Sequence, residues 1–303
     1  MKMNHLPRPL ILAALGILLL GSTGCKRTLE VFYLHLPGTV FDQSSDTQTA
    51  RVCFTDETHV SIVQTIYSSG RTLVSNGVYE AEGHRVQCHN ANGEGNVVQF
   101  VRTFSHLKNT SNKNLTGMAI TAHESLSGSV WTTVLNGSLL MNYFPDDTRC
   151  VSASHTASGW SFGTLPCQLE GSRVRIDRSK GGLYATLYKD VMLVDSLGVV
   201  CNSPAVKAEG KDDLAGTFWT RTGGGLPGII VFTAPGHFTR TQVSSSDQRI
   251  FETLQGTYTL SGNNLTFSYA PTPDSATQQE SCQVAEDGIR FQNVSFSRVT
   301  LAN

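Results

Sequence analysis

The feature that most constrains this chain is a six-residue pattern that returns twice. Leu36-Pro37-Gly38-Thr39-Val40-Phe41 recurs as Leu126-Ser127-Gly128-Ser129-Val130-Trp131 and again as Leu214-Ala215-Gly216-Thr217-Phe218-Trp219, at intervals of 90 and 88 residues. Two further landmarks keep that register. Residues 53–60 align with 231–238 and, between them, 143–150; residues 79–86 align with 258–265 and 167–174. Self-similarity at a fixed period marks a repeat architecture, because each unit is one supersecondary assembly. The three landmarks, in order and nearly evenly spaced, predict three homologous modules of about 90 residues, at 35–110, 124–204 and 212–303.

Local patterning says what each module is. Apolar and polar residues alternate in Thr257-Tyr258-Thr259-Leu260 and again in Leu265-Thr266-Phe267-Ser268-Tyr269. Between them Ser261-Gly262-Asn263-Asn264 is a tight-turn signal, since Gly and Asn adopt positive φ at little cost. Ala234-Pro235-Gly236-His237 is a similar turn joining 229–233 to 238–243. No stretch of a dozen residues carries a capped 3.6-residue apolar period, so long helices are not expected. The chain is read as all-β, three tandem small antiparallel barrels or sandwiches. The third module, through Leu214–Trp219, Phe232–Phe238 and Gly256–Leu265, resembles the small lipocalin-like domains of bacterial lipoproteins. The resemblance covers residues 212–300 well and the two earlier modules weakly. It implies an up-and-down barrel or strongly curved sheet with Trp219 packed across one end, and it specifies fold rather than activity. A plain β-sandwich is the alternative.

The amino terminus supplies an address. Lys2 and Arg8 precede an apolar run from Leu10 to Leu20, followed by small residues up to Cys25. Eleven helical residues reach about 16 Å, too short for a hydrocarbon core of about 30 Å. Residues 1–24 therefore read as a cleaved signal peptide, and 25–34 as a tether. Ser22-Thr23-Gly24-Cys25 resembles the lipobox of a bacterial lipoprotein, with Ser22 where Leu is usual. The resemblance implies diacylglycerol on the Cys25 sulfur and acylation, typically with palmitate, of the new terminus. Lys26 stands where Asp would resemble an inner-membrane retention signal, so the outer membrane is favoured, with the protein facing either the periplasm or the surface. Several acyl chains anchor stably at about 0.8 kcal/mol per buried methylene. Loss of residues 1–24 removes Lys2, Arg8 and no acid, taking the net charge from −1 to −3. The polypeptide thus offers no basic excess to a membrane or to nucleic acid.

Six cysteines remain: Cys53, Cys88, Cys150, Cys167, Cys201 and Cys282. An even number in an exported chain suggests disulfides. By repeat register Cys150 and Cys167 replace an apolar cross-strand pair, Val60 with Tyr79 and Phe238 with Tyr258, which predicts a Cys150–Cys167 bond. Cys53–Cys88 within the first module and, by elimination, Cys201–Cys282 complete the set. No C-x-x-C spacing supports zinc.

Little points to chemistry. There is no Gly-x-Ser-x-Gly elbow. His59 and His237 share a turn position that holds Arg149 in the middle module, which favours a turn-flanking role. Gly223-Gly224-Gly225 lacks the Lys-Ser/Thr of a phosphate loop, and Asp146-Asp147 and Asp212-Asp213 lack the ligand count of a calcium loop. Trp131 and Trp219 share a repeat position and read as core; Trp160, outside the pattern in a Ser/Gly-rich stretch, is the candidate partner contact. Residues 108–114 and 205–213 read as linkers between modules packed in a row. The expectation is a non-enzymatic envelope protein, without cofactor or metal, that binds a protein or glycan through its β modules. The alternative is a carrier holding a lipid or other small apolar ligand inside one barrel.

Overall fold

The computed structural model describes residues 33–90, 98–135, 137–178, 181–194, 197–205, 212–222, 226–244, 247, 249–270, 275–286, 288–291 and 293–301, without the side chains of 201–203 and 222. The signal, Cys25 and most of the tether lie outside these residues. Among the described residues there is no helix; the chain is all-β and antiparallel.

The first eight strands are β1 (Thr39–Asp42), β2 (Gln48–Phe54), β3 (His59–Ile66), β4 (Arg71–Glu82), β5 (Arg85–Asn90), β6 (Val98–Arg102), β7 (Leu107–Asn109) and β8 (Asn114–Gly117). Each pairs with the next, and β8 returns to β1 through Phe41 and Asp42, closing a barrel. The second set is β9 (Ser129–Leu135), β10 (Ser138–Asp146), β11 (Arg149–Thr156), β12 (Gly159–Glu170), β13 (Arg173–Arg178), β14 (Gly181–Tyr188), β15 (Val191–Val194) and β16 (Leu197–Ser203). It closes between β16 and β9. The third is β17 (Phe218–Thr222), β18 (Gly228–Ala234), β19 (His237–Val243), β20 (Ile250–Ser261), β21 (Asn264–Tyr269), β22 (Gln278–Val284), β23 (Gly288–Arg290) and β24 (Ser295–Arg298). It closes between β17 and β24. The two turns read from sequence, at Pro235-Gly236 and Gly262-Asn263, join β18 to β19 and β20 to β21.

The recurring hexapeptide is a turn that enters each barrel. Gly38, Gly128 and Gly216 have φ of 71°, 79° and 79°, a conformation that favours glycine. Their N–H groups donate to the carbonyls of Phe54, Phe144 and Phe232 at 2.8, 2.7 and 2.7 Å. The leucine two residues earlier is buried, and its carbonyl accepts the N–H and hydroxyl of Thr39, Ser129 or Thr217. In the second and third barrels that hydroxyl also accepts the indole N–H of Trp131 or Trp219, at 2.9 and 2.8 Å. Each interior is filled by its own side chains. Phe54, Tyr79 and Phe100 pack in the first, Trp131, Phe144 and Ile176 in the second, and Trp219, Phe232 and Phe267 in the third.

The barrels do not form a row. A single apolar core lies outside all three, drawing Val63 and Val74 from the first, Val134, Met141 and Tyr143 from the second, and Phe218, Val231 and Phe251 from the third. The sequence signature of this packing is a strand buried on both faces, which reads as a continuous rather than alternating apolar run. Strand β18, Gly228-Ile-Ile-Val-Phe-Thr-Ala, is buried throughout, and so are four residues of β15. Strands β4, β12 and β20 are the longest, with 12 residues each. In the N-terminal halves of β4 and β20, Arg71–Leu73 pair with Ile250–Glu252, which fuses the first and third barrels through one sheet. Tyr143 donates from the second barrel to the Thr233 carbonyl of the third at 2.9 Å. Asn76 of the first donates to the Val134 carbonyl of the second at 2.7 Å.

Two boundaries also differ from expectation. The Asn-rich stretch 108–114 is no linker but the hairpin between β7 and β8 that closes the first barrel, with Asn112 at φ 59°; Asn tolerates that conformation, and the composition imitates a linker. Residues 206–211 of the second expected linker lie outside the described residues, while Asp212 caps the third opening turn, accepting the N–H of Leu214 and Ala215.

The disulfide expectations are corrected. Cys53, Cys88, Cys150, Cys167 and Cys282 are free thiols. Cys53 and Cys88 sit on opposite sides of the first barrel wall, Cys53 against Tyr188 and Val191 of the second barrel and Cys88 in the interior. Cys282 is enclosed in the third barrel, where its thiol donates to the Leu265 carbonyl; Cys201 lies on β16 of the second, its side chain outside the described residues. Cys150 and Cys167 share the second interior but do not face each other. Cys150 is opposite Leu165, and the Cys167 N–H bonds to Thr148. The same two-residue offset recurs at Val60, opposite Gly77, and Phe238, opposite Gly256, so the pairing drawn from the alignment is diagonal.

Candidate interaction surface

With the barrel interiors occupied by their own side chains, open space lies on the outer surfaces. On the first barrel the chain entering from the tether, residues 33–37, lies against the end of β4 and the end of β6. The Leu34 N–H donates to the Thr103 carbonyl at 2.9 Å. An open cleft of about 560 Å³ results, lined by Tyr33, His35, Glu57, Tyr79, Glu80 and Arg102 among others.

Arg102 organises its wall. It is 7% exposed, donates through Nε to the Gly83 carbonyl at 2.7 Å, and lies 5.2 Å beneath the Tyr33 ring. Arg is suited to this dual role because its planar guanidinium stacks and donates together. Tyr33 also stacks with Phe104, at 5.9 Å and 18°. Phe104 is 72% exposed, a large apolar side chain held at the rim. Tyr79 forms the floor; its hydroxyl donates to the Asp56 carbonyl at 3.0 Å, and burial pushes its titration well above the usual phenol range. Glu57 and Glu80 are exposed on the wall.

Beside the cleft the β2–β3 turn is held by Asp56. Burial pushes the Asp56 carboxyl up, but hydrogen bonds from the Thr58 and His59 backbone and from the His59 ring outweigh it and hold the group down at about 2. Thr58, His59 and Asp56 imitate a nucleophile–base–acid set in composition only. The Thr58 hydroxyl and the Asp56 carboxylate both approach the same His59 nitrogen, Nδ1, at 3.1 and 2.8 Å, whereas a relay needs one partner on each nitrogen. Ser105 touches the His106 Nδ1 at 2.6 Å as its immediate neighbour. Among the described residues no group of three His, Cys, Asp or Glu could hold a metal ion.

Trp160, the residue singled out from sequence, lies on β12 rather than in a loop. It stacks on Phe162 at 5.8 Å, meets the His155 ring at 5.0 Å and packs against the shared core. Its departure from the repeat pattern reflects packing between barrels. The exposed aromatics are instead Phe104 and Tyr184. Phe104 lies two residues beyond β6, and Tyr33 fell in what read as tether; an aromatic just outside the strands was the available signal. His237 flanks its turn as expected from position, and Asp146 and Asp147 serve turns: Asp146 accepts from Thr148 and Arg149, Asp147 from Ser125 and Leu126. No helix among the described residues is long and apolar enough to cross a membrane.

No family model matches the chain, and no curated protein matches it. Among solved structures, a DNA polymerase sliding clamp from Pseudomonas aeruginosa aligns over 92% of this chain and 98% of its own at 8% identity, with a TM-score of 0.11. That value is too low for shared fold, and the reading of function stays with the molecule itself.

Proposed function

We propose that this chain is a bacterial envelope lipoprotein, anchored by lipid on Cys25, whose three barrels are diverged copies of one module and bind a protein or glycan partner without catalysis. The observation carrying this reading is where aromatic side chains are spent. Most of the large ones fill the barrel interiors or the shared core, while Phe104 is left exposed and stacks on the half-buried Tyr33 at the rim next to the tether. Tyr and Arg are the residues enriched at interface hot spots. The identical opening turns support common descent of the modules. The lipobox resemblance supports the address, with the outer membrane favoured.

Native mass spectrometry of residues 26–303, exported without lipid, tests it. A bare monomer is expected. A reproducible extra mass of a few hundred daltons overturns it in favour of the second reading, a carrier of a small apolar ligand, which the cleft of about 560 Å³ on the first barrel would have to house. Labelling with an alkynyl palmitate in cells tests the anchor: the wild type takes label and Cys25→Ser does not.

A further inference from the structure

Sulfur is unevenly shared among the barrels. The first and third interiors hold one thiol each, Cys88 and Cys282, whereas the second holds Cys150, Cys167 and the thioether of Met192. Cys150 and Cys167 occupy sites that carry Val60 with Tyr79 in the first barrel and Phe238 with Tyr258 in the third. Both members of the pair are therefore sulfur in one barrel and neither is in the other two. Cys150 is fully buried and Cys167 half-buried. The Cys282 thiol is engaged, donating to the Leu265 carbonyl. The thiols of Cys150 and Cys167 make no hydrogen bond among the described residues.

Their spacing decides what they can hold. Cys150 faces Leu165, two residues from Cys167 along β12. Diagonal neighbours of this kind lie about 7–8 Å apart, beyond the Cα separation of about 4.4–6.8 Å that a disulfide bridges. A shared metal ion reaches further. Two metal–thiolate bonds of about 2.3 Å part the sulfurs by up to about 4.6 Å, against about 2.05 Å in a disulfide. No third His, Cys, Asp or Glu joins the pair among the described residues, so the four-ligand set of structural zinc is not built here. Two sulfur ligands suffice for a soft, closed-shell monovalent cation, and thiolate and thioether surroundings select Cu(I).

We infer that the second barrel binds one Cu(I) ion between the sulfurs of Cys150 and Cys167. Binding replaces two S–H bonds by two S–Cu bonds, releases both protons to solvent and changes no oxidation state. The resulting complex carries one negative charge. Arg178, at the end of β13, lies near enough to Cys150 to favour its anion, while Asp146 and Asp147 oppose the anion at Cys167. The half-exposed Cys167 gives the ion its side of entry. This goes beyond the contact reading, which neither requires nor forbids a metal.

The test is anaerobic titration of reduced residues 26–303 with the acetonitrile complex of Cu(I), read by native mass spectrometry and X-ray absorption. One copper per chain with two sulfur ligands is expected, together with a raised melting temperature. Cys150→Ser and Cys167→Ser should each abolish uptake, and Cys88→Ser should retain it. The double variant Cys150→Val with Cys167→Tyr installs the residues of the first barrel, so that loss of copper in a protein that still melts cooperatively is not a folding defect. Failure to take up copper overturns the inference, as does uptake that survives loss of either cysteine. Equal binding of Zn(II) by the same two residues overturns the assignment to a soft two-coordinate ion. A chain two hydrogens lighter after exposure to air, with the loss absent in Cys150→Ser, shows the sulfurs close enough to bond directly and overturns it too.

Discussion

At the residue scale, burial governs the chemistry of the cysteines. Desolvation pushes Cys53, Cys88 and Cys282 up to about 12 and Cys167 up to about 11, and raises Cys150 further. The thiolate is the reactive form, so at pH 8 these groups are overwhelmingly protonated and unreactive. A thiol reagent applied to native residues 26–303 is expected to leave all five essentially unmodified. In denaturant six thiols should react at once; four would mean that one pair had been oxidised. Asp56 works in the other direction. Its carboxyl is held at about 2 when folded, below the unfolded value of about 3.9, so its contribution is complete above about pH 4 and is lost as pH falls toward 2. The carboxylate side chain is 44% exposed, so solvent screening keeps the effect small. Asp56→Asn should lower stability slightly at pH 6 and leave it unchanged at pH 2, read by thermal melts at both values.

At the element scale, the amino-acid pattern carries strand type and turn position well and lateral contacts poorly. The Leu-x-Gly-Ser/Thr-x-aromatic turn was legible because each position has a local duty: the leucine fills, the glycine takes positive φ, the hydroxyl caps. Cys150 and Cys167 show where the same argument stops. Alignment of copies places residues at equivalent sites, but facing partners depend on how far a strand has shifted along its neighbour, and no residue type reports a two-residue offset that preserves the face. The cleft was hidden for a related reason: Tyr33 and Phe104 lie outside the strands, where period says nothing. Gly198 illustrates a contact that only the assembled elements explain. A Cβ there would lie 3.1 Å from Ser61 Cβ and 3.3 Å from Cys53 Sγ, across the boundary between first and second barrels, and its N–H donates to Ser61 Oγ at 3.0 Å. Gly198→Val is expected to destabilise by about 1–3 kcal/mol through overpacking, measured by urea unfolding. Gly163→Val, where nothing approaches within 4 Å, is the control and should be close to neutral.

At the scale of the whole molecule, the shared core decides how the barrels behave together. Modules in a row contact only their neighbours and can unfold piecewise. Here Phe251 of the third barrel, fully buried, belongs to the same cluster as Val74 of the first and Met141 of the second. The pairing of β4 with β20 continues the sheet between two of the barrels, so an edge that would otherwise be unpaired is occupied. Removing one barrel would strip an apolar face from each of the other two. Residues 26–303 should therefore unfold in one transition, with calorimetric and van't Hoff enthalpies in agreement. Phe251→Ala is expected to cost about 3–5 kcal/mol and to lower that single transition. Amide exchange separates this from independent modules. In the variant, amides of β3 and of β10, in barrels that do not contain the mutation, should lose protection by the same free energy as those of β19. If protection fell only in the third barrel, the shared core would be a contact surface without energetic coupling, and each barrel would stand on its own interior.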